Sequence, residues 1–372
     1  MADDFRYHID HHGSLVRPAG LRAARAAGEP EALAAAEEEA VIAALHTQRR
    51  LGLSAVGDGQ FRREHFESVV YDHVEGFGPA AGPGRSGPAA AGSQPLADAA
   101  GIPAARRRRA PAGPAATGRL ADAEAATPLA NVERPAFVVL PSPGYLAAVG
   151  SALADPAAID AASASAHALA AIIRAEIRAL AGQGVAYVAL GNPLYPPLLT
   201  VAGRERLAND VDVDAVLNLL VEADRAAVTE LEEIPENFRV GLDLTDSGPV
   251  PTTERGYHQP ALDALLDETP FHRLCTDFPA DPAARLPVAA IKPGLVLSLG
   301  VVDTSTAVPE TVDELLGRLD PVFEQRGDID VAIATNSGFA ASADRPLMSE
   351  DEQRAKLRLV ETAARYYWGN EI

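Results

Sequence analysis

The side chains best suited to chemistry stand at the ends of apolar runs in the second half of the chain. Asp243 and Thr245 end one such run, Cys275 and Asp277 end the next, and Asp303 ends a third. Residues two apart in a strand point to the same side, so each of the two pairs would present both side chains to one space. A carboxylate can serve as a general base, and a thiol can serve as a nucleophile. We therefore take Asp303, Asp243 and Cys275 as the candidate catalytic residues.

Further polar residues recur in short segments that lie, in order, along the whole chain. The segments are G-S-L-V-R-P at 13–18, D-G-Q-F-R-R at 58–63, L-P-S-P at 140–143, L-G-V-V-D at 299–303 and N-S-G-F at 336–339. Hydroxyl, amide and charged groups are the side chains that orient a small ligand in a pocket. Three more such residues stand at or near the ends of other apolar runs, at 192, 245 and 277. We expect the substrate-binding residues to be Ser14, Arg17, Asp58, Gln60, Arg62, Ser142, Asn192, Thr245, Asp277 and Ser337.

Alternating strands and helices must position these side chains. Runs that are almost continuously apolar occur at 136–140, 185–190, 238–244, 295–302 and 331–334, with stripes of helical period in the intervening sequence. Such runs are typical of parallel strands covered by helices. Eight or nine strands can be counted, of which 118–121 is the weakest, and eight would close a (β/α)8 TIM barrel. In that fold the chemistry lies at the carboxyl ends of the strands, where the segments above fall.

A single α/β domain accounts for residues 1–372, with one interruption. Residues 78–116 are dominated by Gly, Pro, Ala and Ser, a composition that buries little apolar surface, so we expect a mobile, low-complexity loop insertion. Within it, residues 106–109 are four consecutive arginines. This run is either part of a solvated loop or a lid that grips a phosphate or carboxylate group.

Composition limits the kinds of partner. The net charge of −20 argues against nucleic acid and against an anionic membrane surface as the main partner. The single cysteine, Cys275, excludes an internal disulfide and a CxxC metal knuckle. The amino terminus lacks the apolar stretch of a signal peptide, and no run approaches the ~20 apolar residues that cross a bilayer. We expect a soluble, cytoplasmic protein that acts on a small-molecule substrate.

The five segments, together with Lys356, Glu361-Thr362-Ala363 and Trp368-Gly369, resemble the C-terminal catalytic domain of cobalamin-independent methionine synthase. The resemblance is in particular to the stand-alone, single-domain paralogues of that enzyme. It implies a TIM barrel and a methyltransferase activity, with a one-carbon donor such as methyltetrahydrofolate. In this family a zinc ion holds the substrate thiol as the thiolate, which is the form that attacks.

The zinc ligands of the family are an H-x-C pair, a Glu and a second Cys. By the resemblance, these positions fall at Asp243, Thr245, Cys275 and Ser337. Zinc prefers nitrogen and sulfur donors in a tetrahedral arrangement, and neutral hydroxyls are poor ligands. We therefore expect no zinc site and no bound cofactor, with folate implied by the resemblance alone.

The family's positions for the substrate amine and the leaving group have changed as well. Its D-G-E becomes Asp58-Gly59-Gln60, its D-E-P becomes Gly191-Asn192-Pro193, and a His becomes Ser305. An α-amino group loses both anionic partners, so homocysteine does not fit as the substrate. Framework positions of the same segments are retained: Gly13-Ser14, Arg17-Pro18, Asp58, Arg62-Arg63, Pro141-Ser142-Pro143, Asp303 and Gly338-Phe339.

Histidines are alternative ligands and bases. His8, His11 and His12 crowd the first strand, where one could line the pocket while the others pack or face solvent. His258 and His272 could complete a site for iron or manganese if loops bring them to the carboxylates Asp243 and Asp277.

The candidate nucleophile, Cys275, and the candidate base, Asp303, can also be interpreted as residues with a purely structural role. Cys275 could be activated by His272, but a residue three positions earlier in a strand faces the other way. An inert buried thiol is the alternative. Asp303 could act as a base, or it could cap its own loop.

The two retained arginines have a similar ambiguity. Arg17 and Arg62 could hold an anionic substrate, because a guanidinium group binds carboxylates and phosphates well. The alternative is that they form salt bridges with Asp58 or Glu64.

Three functions are open on the sequence alone. The first is a metal-free enzyme of the methyltransferase family, repurposed for transfer or processing of a small molecule in the barrel mouth. Gln60, Asn192, Asp243 and Asp303 would line its pocket. The second is a non-catalytic subunit that pairs with an intact paralogue, or a homo-oligomer. The third is a thiol S-methyltransferase that uses methyltetrahydrofolate with a rearranged zinc site, against which the ligand positions argue.

Overall fold

The structure is a computed structural model of the chain. It describes residues 7–9, 11, 13–79, 94–153, 155–245, 256–343 and 345–369. His12 and residues 80–93 of the expected insertion lie outside the described residues.

A six-stranded parallel sheet forms the centre of the fold. The strands of the described chain are Val74–Glu75 (β1), Gly78–Pro79 (β2), Arg108–Arg109 (β3), Ala115–Ala116 (β4), Phe137–Pro141 (β5), Tyr187–Gly191 (β6), Arg239–Asp243 (β7), Arg273–Asp277 (β8), Val296–Val302 (β9), Val331–Thr335 (β10), Ala340–Ser342 (β11) and Arg345–Pro346 (β12). Strands β5 to β10 lie side by side in chain order. Both of their faces are buried almost throughout, which explains why their sequences are nearly continuous apolar runs.

Two further extended segments join the edges of this sheet. Ile9 forms a parallel bridge with Ile333 of β10, and Val56 forms one with Ala136 beside β5. The Ser54 amide donates to the Ile9 carbonyl over 2.7 Å, which links the two segments to each other. Backbone hydrogen bonds thus connect eight segments in turn, as the predicted (β/α)8 barrel requires.

Side chains alternate between the barrel interior and the surrounding helices. An inner cluster consists of Ala55, Phe137, Val139, Tyr187, Ala189, Val296 and Ala332. The intervening residues, such as Val138 and Leu140, belong to a larger cluster beneath the helices. In the described residues the barrel interior is therefore filled, and the candidate residues line cavities at the ends of the strands.

Helices cover the outside of the sheet. They are Ala19–Ala27 (α1), Pro30–Arg50 (α2), Ser68–Tyr71 (α3), Gln94–Ala99 (α4), Asp122–Asn131 (α5), Pro143–Val149 (α6), Pro156–Gln183 (α7), Tyr195–Leu199 (α8), Val201–Leu207 (α9), Val213–Val228 (α10), Gln259–Leu266 (α11), Val312–Arg326 (α12) and Glu350–Trp368 (α13). Local signals set their ends: Gly184 ends α7 with a left-handed φ, and Thr311 and Ser349 begin α12 and α13 with capping boxes.

One described helix, α7, is long and apolar enough to cross a membrane by length and composition alone. It packs against α6 and α10 on the outside of the barrel. Its Glu176 is buried and accepts hydrogen bonds from the backbone amides of Leu120 and Ala121. These contacts identify α7 as one of the helices that cover the barrel.

The same contacts correct the weakest strand prediction. Residues 118–121 form no strand, because the amides of Leu120 and Ala121 donate to Glu176 (3.0 Å each) just before α5 begins at Asp122. The barrel reaches eight segments without them.

The described part of the expected insertion carries short elements. Strand β3 pairs with β2, strand β4 pairs with β1, and α4 precedes a 3-10 turn at Ala104–Arg106. Leu96, Ala97 and Ile102 are buried in the main core. The expectation of little buried apolar surface therefore does not hold for this part, because a few aliphatic residues are enough to attach it to the barrel.

Candidate functional site

A cavity of about 60 Å³ opens at the carboxyl ends of the barrel strands, and we call it the main cavity. Residues from five strand ends line it. Seven residues predicted as functional from the sequence are among them: Ser14, Arg17, Gln60, Asn192, Asp243, Thr245 and Ser337. The parallel barrel accounts for this convergence, since all of its strand ends meet at one face.

Asp243 and Thr245 lie on one wall of the main cavity, as their spacing predicted. Asp243 is the last residue of β7 and is buried, and its Oδ1 accepts a hydrogen bond from the Thr245 amide (2.9 Å). This bond fixes the carboxylate against the backbone at the strand end. Among the described residues, Asp243 supplies a carboxylate to the lining of the main cavity.

Arg17 brings a buried positive charge to the same cavity. Its side chain is 3 % exposed, and its Nη2 donates to the carbonyls of Gln60 (2.7 Å) and Arg63 (3.0 Å). Its Nε and Nη1 are buried without a hydrogen-bond partner. Burial and the nearby Arg25 lower the pKa of Arg17 to about 10, so the group remains charged at neutral pH. Arg17 forms no salt bridge with Asp58 or Glu64.

Two glycines let the first and last barrel segments approach closely beside Arg17. A Cβ atom on Gly13 would lie 2.2 Å from the Gly338 Cα, and a Cβ on Gly338 would lie 2.6 Å from the Ser14 nitrogen. Ser14 Oγ donates to the Ala340 carbonyl over 2.5 Å. This close approach explains why glycine stands at both positions.

Gln60 reaches the main cavity through an unusual loop. Its φ of 58° is left-handed, and it follows Gly59 with a φ of 72°. The Gln60 amide donates to Asp58 Oδ1 (2.8 Å), which holds the turn in place. Such a conformation costs roughly 1 kcal/mol or more for a non-glycine residue, and this kind of strain is concentrated at functional sites.

Asp58 itself lies in a smaller cavity below the main one. Its neighbours there include His11, Glu124 and Arg63. Burial and the negative charge of Glu124 raise the pKa of Asp58 to about 7. Its Oδ2 is buried without a hydrogen-bond partner. The prediction that Asp58 contacts substrate in the main cavity is therefore corrected: it lies beside that cavity.

Arg62 also lies away from the position predicted for it. Its Nη2 donates to Glu38 Oε2 (2.5 Å) and to Thr127 Oγ1 (2.9 Å), which belong to α2 and α5. The next residue, Arg63, is the one that turns inward, where it forms a buried ion pair with Glu124. Arg62 is therefore a link between the loop and the helices and does not line the main cavity.

Three residues at or beside the main cavity were not predicted from the sequence. His65 and Phe66 line the main cavity, and Arg106 from the insertion donates from Nη1 to His65 Nδ1 (3.2 Å). A guanidinium nitrogen can only donate, so the neutral His65 ring carries its proton on Nε2. Their proximity in sequence to the retained Arg62-Arg63 could have identified His65 and Phe66. Nothing local identifies Arg106 as their neighbour.

Ser142 and Asn192 belong to a buried network around Asp224 of α10. Asp224 Oδ2 accepts from Asn192 Nδ2 (2.9 Å) and from the Tyr195 hydroxyl (3.0 Å), and its Oδ1 accepts from the Gly144 amide. Ser142 begins α6 and also hydrogen-bonds to Asp224. Burial raises the pKa of Asp224 to about 6. Ser142 is therefore a positioning residue, and Asn192 is the member of the network that lines the main cavity.

A zinc ion, which the resemblance implies, does not fit the donors present. Asp243, Thr245 and Ser337 line the main cavity, whereas Cys275 is buried within β8 and lines neither this cavity nor its neighbour. One carboxylate and two neutral hydroxyls make a poor zinc site. Within the described ranges, no group of three or more His, Cys, Asp and Glu residues is arranged to hold a metal ion.

The histidines of the first segment have structural contacts. The His8 ring stacks on Trp368 with 4.3 Å between centroids. His11 is buried, and its Nδ1 lies 3.0 Å from Thr335 Oγ1. Neither residue lines the main cavity.

The rings of the two later histidines, His258 and His272, accept hydrogen bonds from backbone amides. His258 caps α11 by accepting from the Ala261 amide (3.3 Å), and His272 Nδ1 accepts from the Val240 amide (3.1 Å). Burial and the nearby Arg239 lower the pKa of His272, which favours the neutral ring. Neither ring is therefore the partner of Cys275 or the iron ligand that the sequence left open.

Asp277 and Asp303 line a second cavity, of about 370 Å³, on the side of the barrel mouth under α12. Asp303 Oδ1 accepts from the Ser305 amide (2.8 Å), which is the loop-capping role weighed from the sequence. Glu310 ties the same loop to α13 through Lys356 (2.9 Å). Nine of the predicted site residues are thus divided between these two cavities, and the other four line neither of them: Asp58, Arg62, Ser142 and Cys275.

Comparison with known proteins supports the fold. No family model matches the chain. The uncharacterized protein YxjH of Bacillus subtilis is 23% identical over 379 residues, which cover 97% of this chain and 95% of that protein. A B12-independent methionine synthase from Shewanella sp. W3-18-1, solved with selenomethionine, superposes with a TM-score of 0.74 at 15% identity and 97% coverage of both chains. A candidate vitamin-B12-independent methionine synthase from Listeria monocytogenes gives 0.65 at 20% identity and 98% coverage of both.

These similarities confirm the TIM-barrel prediction and the resemblance drawn from the motifs. The solved structures that share this fold over nearly the whole chain are methionine synthase-like proteins, and the sequence relative is a stand-alone chain of similar length. At these identities the likeness establishes the fold, and the activity has to be argued from the site.

Proposed function

We propose that this protein is a divergent relative of the cobalamin-independent methionine synthases that carries out metal-free transfer or processing of a small molecule in the main cavity. The observation that carries the proposal is the convergence of seven polar residues from five strand ends on one cavity. A barrel kept only as a framework would have no need to retain such a cavity. The net charge of −20 supports a soluble, cytoplasmic location and a small-molecule partner.

The donor set supports the metal-free part of the proposal. Asp243, Thr245 and Ser337 occupy the positions that hold zinc in the family by resemblance, and they suit hydrogen bonding better than zinc binding. Without zinc to stabilise a thiolate, the protein needs a nucleophile that is more acidic than a thiol or already activated. Folate remains implied by the resemblance alone.

The side chains suggest distinct roles. Asp243 would accept a proton, and Ser14, Thr245 and Ser337 would hydrogen-bond the ligand. Gln60 and Asn192 would fix the orientation of the ligand through their neutral amides. His65, with its Nε2 proton, would donate a hydrogen bond from the opposite wall.

Native mass spectrometry of the untagged protein, purified without chelator, tests this proposal. We expect no stoichiometric metal and a small molecule that dissociates at higher collision energy. Replacement of Asp243 by Asn and of Asn192 by Ala should reduce the retention of that molecule. A stoichiometric zinc ion would contradict the proposal and return the protein to thiol methyl transfer.

The alternative proposal is a non-catalytic subunit of an intact paralogue. The retention of Gly13 and Gly338 beside the altered ligand positions favours it, because both glycines serve the barrel and not the chemistry. In the same mass spectrum this alternative requires the added mass of another chain. An empty cavity in such a complex would favour the subunit over the enzyme.

A further inference from the structure

We propose that the main cavity binds a small monocarboxylate through Arg17, an inference that rests on the proposed function and names its substrate class. The inference begins from the side chain of Arg17, which lines the cavity and is 3 % exposed.

The protein uses only part of the hydrogen-bonding capacity of Arg17. Within the described residues it donates from Nη2, once to the Gln60 carbonyl and once to the Arg63 carbonyl. Nε and Nη1 have no partner although they are buried. A guanidinium group has five N–H donors, so three donors of Arg17 are not used by the protein.

No carboxylate of the described chain neutralises this charge by direct contact. The other arginines of the region are paired: Arg25 with Glu37 (2.8 Å), Arg62 with Glu38 (2.5 Å) and Arg63 with Glu124 (2.5 Å). A buried cation without an ion pair is costly, and an anion in the adjacent cavity would remove that cost. Arg17 is thus placed to receive the anionic group of a ligand.

The size and charge of the surroundings select a carboxylate over a phosphate. The cavity, of about 60 Å³, has room for a small ligand. Asp243 lines the same cavity, and Asp58 lies close enough to Arg17 to raise the pKa of its guanidinium group. Two nearby carboxyl groups would repel a dianion more strongly than a monoanion.

The uncharged residues of the cavity limit the charge and polarity of the rest of the ligand. Gln60 and Asn192 carry no charge, and the apolar walls include Phe66, Val139 and Leu347. The Phe66 ring fits because residue 191 is glycine, where a Cβ would lie 2.6 Å from the ring. These contacts suit a carboxylate on a short apolar or neutral polar body.

Titration of the purified full chain with acetate, propionate and butyrate tests the inference. Calorimetry and thermal unfolding would be followed at constant ionic strength, with chloride and phosphate as comparison anions. We expect saturable binding of at least one carboxylate. Arg17→Met should weaken it roughly 10- to 100-fold, as expected for the loss of a charge-assisted hydrogen bond. Arg62→Met is the matched control and should leave the affinity within about twofold, because Arg62 lies outside the cavity.

A measurement on the unsubstituted protein covers the case in which Arg17→Met does not fold. The Nε–Hε resonance of Arg17, assigned by through-bond correlation, should shift saturably during the same carboxylate titration. An unchanged resonance, or binding of phosphate as tight as that of every carboxylate, would overturn the inference. Equal carboxylate affinities of Arg17→Met and the unsubstituted protein would overturn it as well.

These outcomes separate the inference from the proposed function. A neutral or cationic molecule retained in native mass spectra, without any carboxylate response, would keep the enzyme proposal and reject the carboxylate. Carboxylate binding through Arg17 in a protein isolated only as the subunit of a paralogue would support the inference and reject the enzyme.

Discussion

Arg63 holds Glu124 through two parallel hydrogen bonds, from Nε to Oε1 (2.6 Å) and from Nη2 to Oε2 (2.5 Å). The pair is almost fully buried and joins the loop after the second barrel segment to α5. Nη2 also donates to the Val139 carbonyl (2.6 Å). Since the same loop carries Gln60 and His65, this ion pair positions one side of the main cavity.

Replacement of Arg63 by Met should destabilise the protein by about 3 to 5 kcal/mol, because it leaves Glu124 buried without its partner. The matched change Arg62→Met should cost less, about 1 kcal/mol, since its partner Glu38 is 46 % exposed whereas Glu124 is buried. Urea unfolding of both variants gives the comparison. Equal losses would mean that the buried pair contributes no more than a surface one.

Asp58 should make stability depend on pH. Burial and Glu124 raise its pKa to about 7 in the folded protein, above the value of about 3.9 expected when it is unfolded. Its contribution is therefore complete below about pH 4 and is lost as the pH rises through 7. Arg63, Arg62 and the nearby His11 share its surroundings.

Asp58→Asn should remove much of this dependence while keeping the hydrogen bond from the Gln60 amide. We expect stability equal to that of the unsubstituted protein at or below about pH 4 and a gain of up to about 4 kcal/mol near pH 8. Asp224, whose pKa is raised to about 6, would keep a residual dependence of the same sign. Asp160→Asn, at an exposed position of α7, is the control and should leave the free energy of unfolding unchanged at both pH values.

The barrel and much of the main cavity could be predicted from the sequence. Apolar runs and helical stripes alternate in a way that few folds accommodate, and a parallel barrel brings every strand end to one face. Asp243, Thr245, Asn192 and Ser337 followed from that rule together with the family resemblance, which marked these positions. Their convergence needed no knowledge of side-chain contacts.

The loop residues could not be placed in the same way. Whether Arg62 or Arg63 turns inward depends on the left-handed backbone at Gly59 and Gln60, which strand and helix periods do not describe. Arg106 meets His65 across an insertion, so only tertiary packing brings them together. His258 was readable as a helix cap, since Pro260 follows it in the first turn of α11.

Lys356→Met tests a buried lysine that has no role in the proposed function. Its side chain is 0 % exposed, and Nζ donates to the Val308 carbonyl (2.6 Å) and to Glu310 Oε2 (2.9 Å). Loss of the ammonium leaves both acceptors without a donor, and we expect a cost of about 2 to 4 kcal/mol. Lys292→Met removes an exposed ion pair with Asp267 and should cost about 0 to 1 kcal/mol in the same unfolding assay.

The contact between Arg106 and His65 predicts a fixed tautomer. Near pH 8.5, where a histidine is neutral, His65 should carry its proton on Nε2 because Arg106 donates to Nδ1. Arg106→Met should give a mixture of tautomers, detectable in the ring nitrogen shifts and assigned by His65→Gln. Arg108→Met, an exposed position of the same arginine run, should leave those shifts unchanged. A mixture already present in the unsubstituted protein would contradict the contact.

Restoration of the family's zinc ligands tests the alignment of the strand ends. The combined changes are Asp243→His, Thr245→Cys, Cys275→Glu and Ser337→Cys. Three of these positions line the main cavity, and Cys275 is the register partner of Asp243 across β7 and β8. The new set offers nitrogen, sulfur and carboxylate donors, so we expect one zinc ion per chain by elemental analysis and a tetrahedral cobalt spectrum. The variant that keeps Ser337 should bind zinc more weakly, because it lacks one thiolate. If the fourfold variant folds and binds no zinc, these four positions do not correspond to the family's ligands.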